Sequence, residues 1–308
     1  MEISVVVPVF REERSIRPFL NRLVPAMQSL GVNYEVIFCL DPCDDSTEDV
    51  IAQEIRKNSS LKMVVFSRRF GQPAAVMAGL FFSTGRTCVV IDVDLQDPPE
   101  LIVDLYRRIL LGSDVVYAKR RSRQGETVVK RLVSSLGYFV INRLSEVDIP
   151  RDTGDFRIMT RRVVTQLLEL RETHGFLRGM VAFVGFRQDF IYYDRAARED
   201  GQSKYNRFTG SIRIGLNGLI GFSSKPLFLM SICGFCLAGL SFLLGVSYFL
   251  QRLMGVDLTP GLPTTVIVVS FFAGLQLLGL GLIGEYVGRI YDEVKRRPSF
   301  IVDRKFNI

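Results

Sequence analysis

An apolar run, Cys88-Val89-Val90-Ile91, leads straight into Asp92-Val93-Asp94-Leu95-Gln96-Asp97-Pro98-Pro99-Glu100. The β-branched residues read as a buried parallel strand. On an extended backbone side chains alternate with period two, so Asp92, Asp94 and Gln96 are predicted to project from one side before Pro98-Pro99 stops the strand. Three oxygen donors at the carboxyl end of a strand suit a hard divalent cation that keeps positions open for phosphate oxygens. That edge of an open α/β sheet is also where ligands bind. The competing reading is a solvated strand end with an acidic turn, because an Asp-x-Asp pair alone is a weak signal.

The elements that must position these groups alternate along the first half of the chain. Strands are predicted over residues 3–9, 34–40, 63–67, 87–91 and 114–118, and helices over 15–30, 72–83 and 161–170. In 15–30 the helical spacing places Ile16, Phe19, Leu20, Leu23 and Met27 on one face. This alternation specifies an α/β fold, a Rossmann-like, doubly wound and mostly parallel sheet. Acidic residues follow three of the strands: Glu12-Glu13, Asp41, and Asp92 with Asp94. Together they suit a ribose and base, leaving a diphosphate to a metal. The first strand is not followed by Gly-x-Gly-x-x-Gly, and no Gly-x-x-x-x-Gly-Lys-Ser/Thr occurs, which argues against a dinucleotide oxidoreductase and a P-loop nucleotidase.

Composition narrows the chemistry. The single histidine, His174, makes His-centred catalysis or a His-rich zinc site a poor fit. Five cysteines are an odd number, and Cys233-x-x-Cys236 lies in an apolar segment where packing explains it better than redox chemistry. A reducing compartment is therefore expected. Residues 226–250 and 264–284 are each long and apolar enough for a transmembrane helix. Basic residues flank both outer ends, so the connector 251–263 is expected outside and residues 1–204 and the basic tail 285–308 in the cytoplasm. Residues 205–225 read as juxtamembrane amphipathic helix, with Phe208, Ile212, Leu216 and Leu219 at helical spacing. A buried helix packed on the spans is the alternative for that segment. No secretory leader is expected, since Met1-Glu2-Ile3 runs directly into a strand.

Five motifs then occur in a familiar order: Val5-Val6-Val7-Pro8-Val9-Phe10-Arg11-Glu12-Glu13, the Asp41 loop, Ser67-Arg68-Arg69-Phe70-Gly71-Gln72, the Asp92–Pro99 segment, and Asp152-Thr153-Gly154-Asp155-Phe156-Arg157. In these the chain resembles the family 2 glycosyltransferases of GT-A fold, in the polyprenyl-phosphate branch that includes dolichol-phosphate mannose synthases and bacterial GtrB-type glucosyltransferases. The resemblance covers nearly the whole chain, including the two C-terminal spans. It implies a nucleotide-sugar donor, Mg²⁺ or Mn²⁺, a polyprenyl-phosphate acceptor in the bilayer and inversion at the anomeric carbon. By position, Pro8, Phe10, Glu12 and Asp41 would hold the nucleoside. Asp92, Val93 and Gln96 would contact the nucleotide sugar, with Asp92, Asp94 and Gln96 serving the metal. Two departures stand out: Arg11 occupies a position often held by Asn, and the Leu40-Asp41-Pro42-Cys43-Asp44-Asp45-Ser46 loop leaves open which aspartate meets the base.

The chemistry asks little of a base. A phosphate monoester is largely a dianion at neutral pH, its second pKa lying near 6. Cationic positioning matters more, because two anionic phosphates must approach. Arg120, Arg131, Arg178 and Lys204 are the candidate acceptor-phosphate residues, against the alternative of a solvated basic face or attraction to anionic headgroups. Asp155 is the candidate acceptor-side catalytic carboxylate, as orienting group or weak base, alongside Asp94. Arg157 either pairs with a phosphate or clamps Asp155. Glucose from UDP-glucose is the best-fitting donor, with GDP-mannose or another nucleotide sugar as the alternative. A non-catalytic lipid-binding scaffold is the competing class. A processive synthase is disfavoured, because a chain without tryptophan has no Gln-x-x-Arg-Trp signature. Nucleic acid is not an expected partner; two spans are a small anchor for this domain, which is compatible with a homo-oligomer.

Overall fold

Four strands, β1 (Ile3–Val9), β2 (Tyr34–Leu40), β3 (Leu61–Phe66) and β4 (Thr87–Val90), alternate with helices α1 (Ile16–Ser29), α2 (Thr47–Lys57) and α3 (Gln72–Phe82). They continue into α4 (Leu101–Leu110), β5 (Val115–Arg120), β6 (Thr153–Thr160), α5 (Arg161–Glu169), α6 (Leu177–Phe183) and β7 (Gln188–Tyr193). Two long helices follow, α7 (Lys225–Leu253) and α8 (Leu262–Val294), and then a last strand, β8 (Val302–Phe306). This computed structural model describes residues 1–121, 153–170, 172, 177–194, 223–254 and 261–308. The strands form one sheet in the order β7-β5-β6-β4-β1-β2-β3-β8.

The sheet is a three-layer core, as its strand patterns require. Along β1, Ile3, Val5, Val7 and Val9 face a cluster containing Ile16, Phe19 and Leu23 of α1, Ile51 of α2 and Leu105 of α4. Val6 points the other way, among Val76 and Leu80 of α3 and Val163 and Leu167 of α5. Period-two strands thus receive amphipathic helices on both faces. α3 approaches closest: a Cβ built on Gly79 would lie 2.2 Å from Val6 Cγ1 and 2.8 Å from Cys39 Sγ, so only glycine fits there.

The chain leaves β1 towards β2 and β3, then crosses back to place β4 on the other flank of β1. β4 pairs with β1 only from Thr87 to Val90, opposite Ile3 to Val6, whereas β1 pairs with β2 as far as Val9. A crevice therefore opens beside the end of β1, at the switch point of the topology. Val6 accepts a bond from Ile91 N on that flank, and Val9 accepts from Asp41 N on the other. Because backbone groups alternate sides along a strand, Pro8 shares the orientation of Val6 and faces the crevice, where no partner strand needs its missing N–H. β1 therefore runs through Pro8 to Val9.

Three strands were not legible in the pattern. β6 runs antiparallel between β4 and β5 and carries Gly154, Asp155 and Arg157, which break any alternation. β7 pairs parallel with β5 at one edge of the sheet. β8 is mostly charged and exposed, and its pairing is supplied by the open edge of β3. The boundary expected at residue 284 falls inside α8, which continues to Val294, and the segment expected as a basic tail contains β8. Ser67 N donates to Ile301 O at 3.0 Å, and the Phe300 ring sits 6.0 Å from Phe66 and 6.3 Å from Phe82. Arg304 closes the contact with a 2.7 Å ion pair to Glu48.

α7 and α8 have 29 and 33 residues, so each exceeds the ~30 Å hydrocarbon core of a bilayer at 1.5 Å per residue. Their stretches Lys225–Leu244 and Phe271–Val294 have mean hydropathies of 2.3 and 1.4, making two helices long and apolar enough to cross a membrane. Phe228, Phe235, Phe242, Phe271 and Leu278 lie exposed on them. Tyr286 donates its hydroxyl to Ser223 O at 2.7 Å, joining the two helices near their base.

At the opposite end of the sheet, Glu35 is fully buried. It accepts from Ser4 Oγ at 2.5 Å and from Thr84 N at 2.7 Å, and pairs with Lys62 Nζ at 2.7 Å. Burial pushes this carboxyl up; the bonds from Lys62, Ser4 and Thr84 more than reverse that and hold it below the usual 4.5. Its ionised form therefore adds stability above pH 4.5, which is lost as pH falls through the depressed folded value. Glu35→Gln is expected to melt lower than the parent at pH 7, with the gap closing as the pH drops below about 4.5; thermal unfolding in detergent across pH measures this, and a pH-independent gap contradicts it. Removing residues 299–308 uncovers the β3 edge and is expected to lower the melting temperature and promote aggregation. Phe300→Ala, which empties a half-buried ring site, should cost about 2 kcal/mol by the same measurement.

Candidate active site

Beside the crevice between β1 and β4 lie the loops after β1, β2, β3 and β4, together with β6 and α6. After β1 come Phe10, Arg11 and Glu12. Arg11 adopts φ 56°, a left-handed conformation that asparagine tolerates better than most residues, which explains the pattern from which this chain departs. Its guanidinium pairs with Asp44 at 2.9 Å. Phe10 presents its ring to the Arg69 guanidinium, 4.0 Å from the centroid. Glu12 accepts from Ser15 Oγ at 2.7 Å, and its backbone N–H donates to Thr47 Oγ1 at 2.9 Å, tying the loop to α1 and α2.

β2 ends at Asp41, which is 3% exposed. Its two carboxylate oxygens accept from the backbone N–H groups of Phe70, at 2.8 Å, and Gly71, at 2.9 Å. Gly71 has φ 89°, a geometry that glycine reaches without strain. The aspartates of the β2 loop thus have separate tasks: Asp41 holds the loop after β3, Asp44 pairs with Arg11, and Asp45 accepts from Thr47 N at the start of α2.

The acidic segment after β4 differs from its expected backbone. The strand stops at Val90, and residues 93–97 form a turn with Leu95 at φ 59°. Asp94 Oδ1 accepts from Gln96 N at 3.2 Å, a local bond that competes with strand pairing. Alternation survives in burial alone: Val93 is 3% exposed and Asp97 is 2% exposed, while Asp92, Asp94 and Gln96 are half-buried. Val93 packs in the core with Leu95 against it, so its side chain anchors the turn. The Tyr193 hydroxyl donates to buried Asp97, fastening the turn to β7. Pattern reading missed this pair, because Asp97 looks like one more acidic turn residue.

On the other side of the crevice, β6 presents Asp155. Its carboxylate accepts from Arg178 Nε of α6 at 3.0 Å and from an Arg157 terminal nitrogen at 3.4 Å. Arg157 itself is fully buried. It donates to the carbonyls of Asp155 and Gly154, both at 3.1 Å, and lies 5.2 Å from the centroid of Tyr117. Burial pulls this guanidinium below the usual arginine value, with Tyr117 and Asp155 opposing that shift and Arg178 adding to it. Arg157 therefore clamps the Gly154–Asp155 backbone. Its remaining terminal nitrogen has no hydrogen-bond partner among the described residues.

Asp92 and Asp155 meet through a residue to which the motif reading assigned no role. Gln72, the first residue of α3, donates its side-chain amide to Asp92 Oδ1 at 2.9 Å and reaches Asp155 Oδ2 at 3.5 Å. The structure therefore links Asp92, Asp155, Arg157 and Arg178 through Gln72 and their shared contacts, and Asp41 fixes the backbone just before Gln72; Phe10 and Glu12 lie on the loop after β1, Asp94 and Gln96 on the turn after β4, and Pro8 in β1 beside them. Arg120 ends β5 in register with Tyr193. Arg131, Asp152, His174 and Lys204 lie outside the described residues, as does the expected amphipathic segment 205–222. Among the described residues no three His, Cys, Asp or Glu side chains cluster to hold a metal unaided. Asp92, Asp94 and Gln96 form an all-oxygen set, which fits a hard cation that completes its shell with a ligand's phosphate oxygens.

Residues 4–168 match the family described as Glycosyl transferase family 2. Among curated relatives, an uncharacterized glycosyltransferase of Synechocystis is 40% identical over 98% of this chain and 95% of its own length. The SfII prophage-derived bactoprenol glucosyl transferase of Shigella flexneri is 36% identical over 99% of this chain and 98% of its own. Among solved structures, Mycobacterium tuberculosis glucosyl-3-phosphoglycerate synthase, in complex with Mn²⁺, UDP-glucose and phosphoglyceric acid, superposes with a TM-score of 0.51. That likeness covers 71% of this chain and 79% of the synthase at 19% identity, and concerns the fold alone. With the crevice at the switch point of a GT-A sheet and a family match over half its length, the chain belongs to glycosyltransferase family 2.

Proposed function

We propose that this enzyme is anchored in a membrane by α7 and α8 and moves glucose from UDP-glucose to the phosphate of a polyprenyl phosphate, with inversion. The observation that carries the proposal is the reach of the bactoprenol glucosyl transferase likeness. It runs over 99% of the chain and so includes both apolar helices as well as the catalytic sheet. A lipid acceptor explains why a soluble-looking α/β domain carries them. Basic residues at the outer ends of the two spans support a cytoplasmic catalytic domain and cytoplasmic termini.

In this reading Phe10, Glu12 and Asp41 border the nucleoside pocket, with Pro8 shaping its floor. Asp92, Asp94 and Gln96 would hold Mg²⁺ or Mn²⁺ with the diphosphate. The bound ion supplies Lewis-acid neutralisation of charge on the leaving UDP. An acceptor phosphate oxygen attacks the anomeric carbon as the bond to the diphosphate oxygen breaks, its electron pair leaving with UDP. The acceptor enters as a dianion, so no proton need be removed. Asp155 and Arg178 then act on orientation: the guanidinium offers donors to the acceptor phosphate while the carboxylate fixes its direction, and buried Arg157 holds Asp155 in place. Arg120, Arg131 and Lys204 are the further cations proposed for the acceptor phosphate. Such positioning of two anionic partners accounts for the excess of arginine over histidine around the crevice.

Detergent-purified full-length protein is expected to transfer radiolabelled glucose from UDP-glucose to polyprenyl phosphate only with Mg²⁺ or Mn²⁺, one sugar per lipid. A panel of UDP- and GDP-sugars tests the donor, and a clear preference for GDP-mannose would replace glucose. Asp94→Ala should lower kcat by at least about a hundredfold; full activity in that variant removes the metal assignment. Activity with the dianionic acceptor should rise with pH through about 6 and then level.

A further inference from the structure

We propose that Gln72 is a positioning residue that couples the donor and acceptor halves of this centre, an inference that rests on the reading of Asp92 and Asp155 given above. Its Nε2 lies 2.9 Å from Asp92 Oδ1 and 3.5 Å from Asp155 Oδ2. A side-chain amide carries two hydrogens on that nitrogen, so one neutral group can donate to two carboxylates at once. A lysine at this position would bring a positive charge that competes with a metal ion for Asp92, and a glutamate would repel both neighbours. The amide orients Asp92 while leaving its charge intact, as hydrogen-bond partners behind metal ligands do.

The platform beneath Gln72 is unusually constrained. Upstream, Asp41 grips the N–H groups of Phe70 and Gly71, so the chain enters α3 along one path. Downstream, Pro73 and the close seat of Gly79 against Val6 and Cys39 prevent the helix from sliding. The 2.9 Å bond to Asp92 is fully formed, whereas the 3.5 Å approach to Asp155 stands at the outer limit of a hydrogen bond. A small shift of Asp155 towards Gln72 would complete the bridge, so that the acceptor carboxylate is drawn towards its working position only when the donor carboxylate is itself held.

Gln72 is exposed, so replacing it does not threaten the core. The test uses Gln72→Met, equal in length but without donors, in the full-length protein. Mn²⁺ binding in the presence of UDP, followed by the loss of the free-ion electron paramagnetic resonance signal, should weaken about tenfold, and kcat should fall about 10–100-fold. In an Asp155→Ala background the same substitution should lower kcat by less than about threefold, because the bridge has already lost its acceptor oxygen, while the effect on Mn²⁺ affinity persists. Unchanged Mn²⁺ affinity in Gln72→Met, or kcat losses that simply multiply with those of Asp155→Ala, overturns the coupling. Failure of the parent protein to bind Mn²⁺ with UDP would overturn the donor-site reading as well, which separates the two failures.

Discussion

Asp41 receives hydrogen bonds from two successive backbone N–H groups, those of Phe70 and Gly71. The carboxylate is nearly inaccessible to water, and an ionised group in that setting stays only where such donors replace its hydration. The pair of bonds joins the end of β2 to the loop after β3 and so determines where α3 begins. α3 in turn puts Gln72 between Asp92 and Asp155. Breaking the Asp41 clamp would leave a buried charge unpaired and free the loop together, so the geometry of the crevice and the stability of this edge of the sheet are one quantity.

The Asp155 wall of the crevice balances its charge differently. A fully buried arginine is expensive, since desolvation opposes the cation. Arg157 meets part of that cost with two carbonyls and the face of Tyr117. It fixes the backbone that carries Asp155, and the partly exposed Arg178 pairs with that same carboxylate.

The C-terminal segment links the apolar helices to the same loop. β8 pairs with β3, Ile301 accepts from Ser67, and Phe300 packs on Phe66, whose ring in turn contacts Phe70. The helices are thus joined to the sheet at the strand that leads into the Asp41 clamp. This contact also covers an edge that would otherwise present unpaired backbone groups.

The alternating strands and helices, the apolar pair near the C-terminus and the carboxylates after β1, β2 and β4 were all legible from sequence, because each depends on local periodicity or on residue type at an element's end. The family could be read from five motifs in order. Their roles could not. Asp92, Asp94 and Gln96 were expected to share one side of a strand, but a bond from Gln96 N to Asp94 and the burial of Val93 fold that segment into a turn. β6 and β8 carry too many polar residues to alternate, and became strands only because neighbouring edges offered them backbone partners. Whether Arg157 would meet a phosphate or clamp Asp155, and that Gln72 would stand between two carboxylates 63 residues apart in sequence by position, depended on contacts across the sheet. Local pattern determines which residues end each element; the packing of α3 and β6 against a sheet that splits beside β1 decides which of those ends meet.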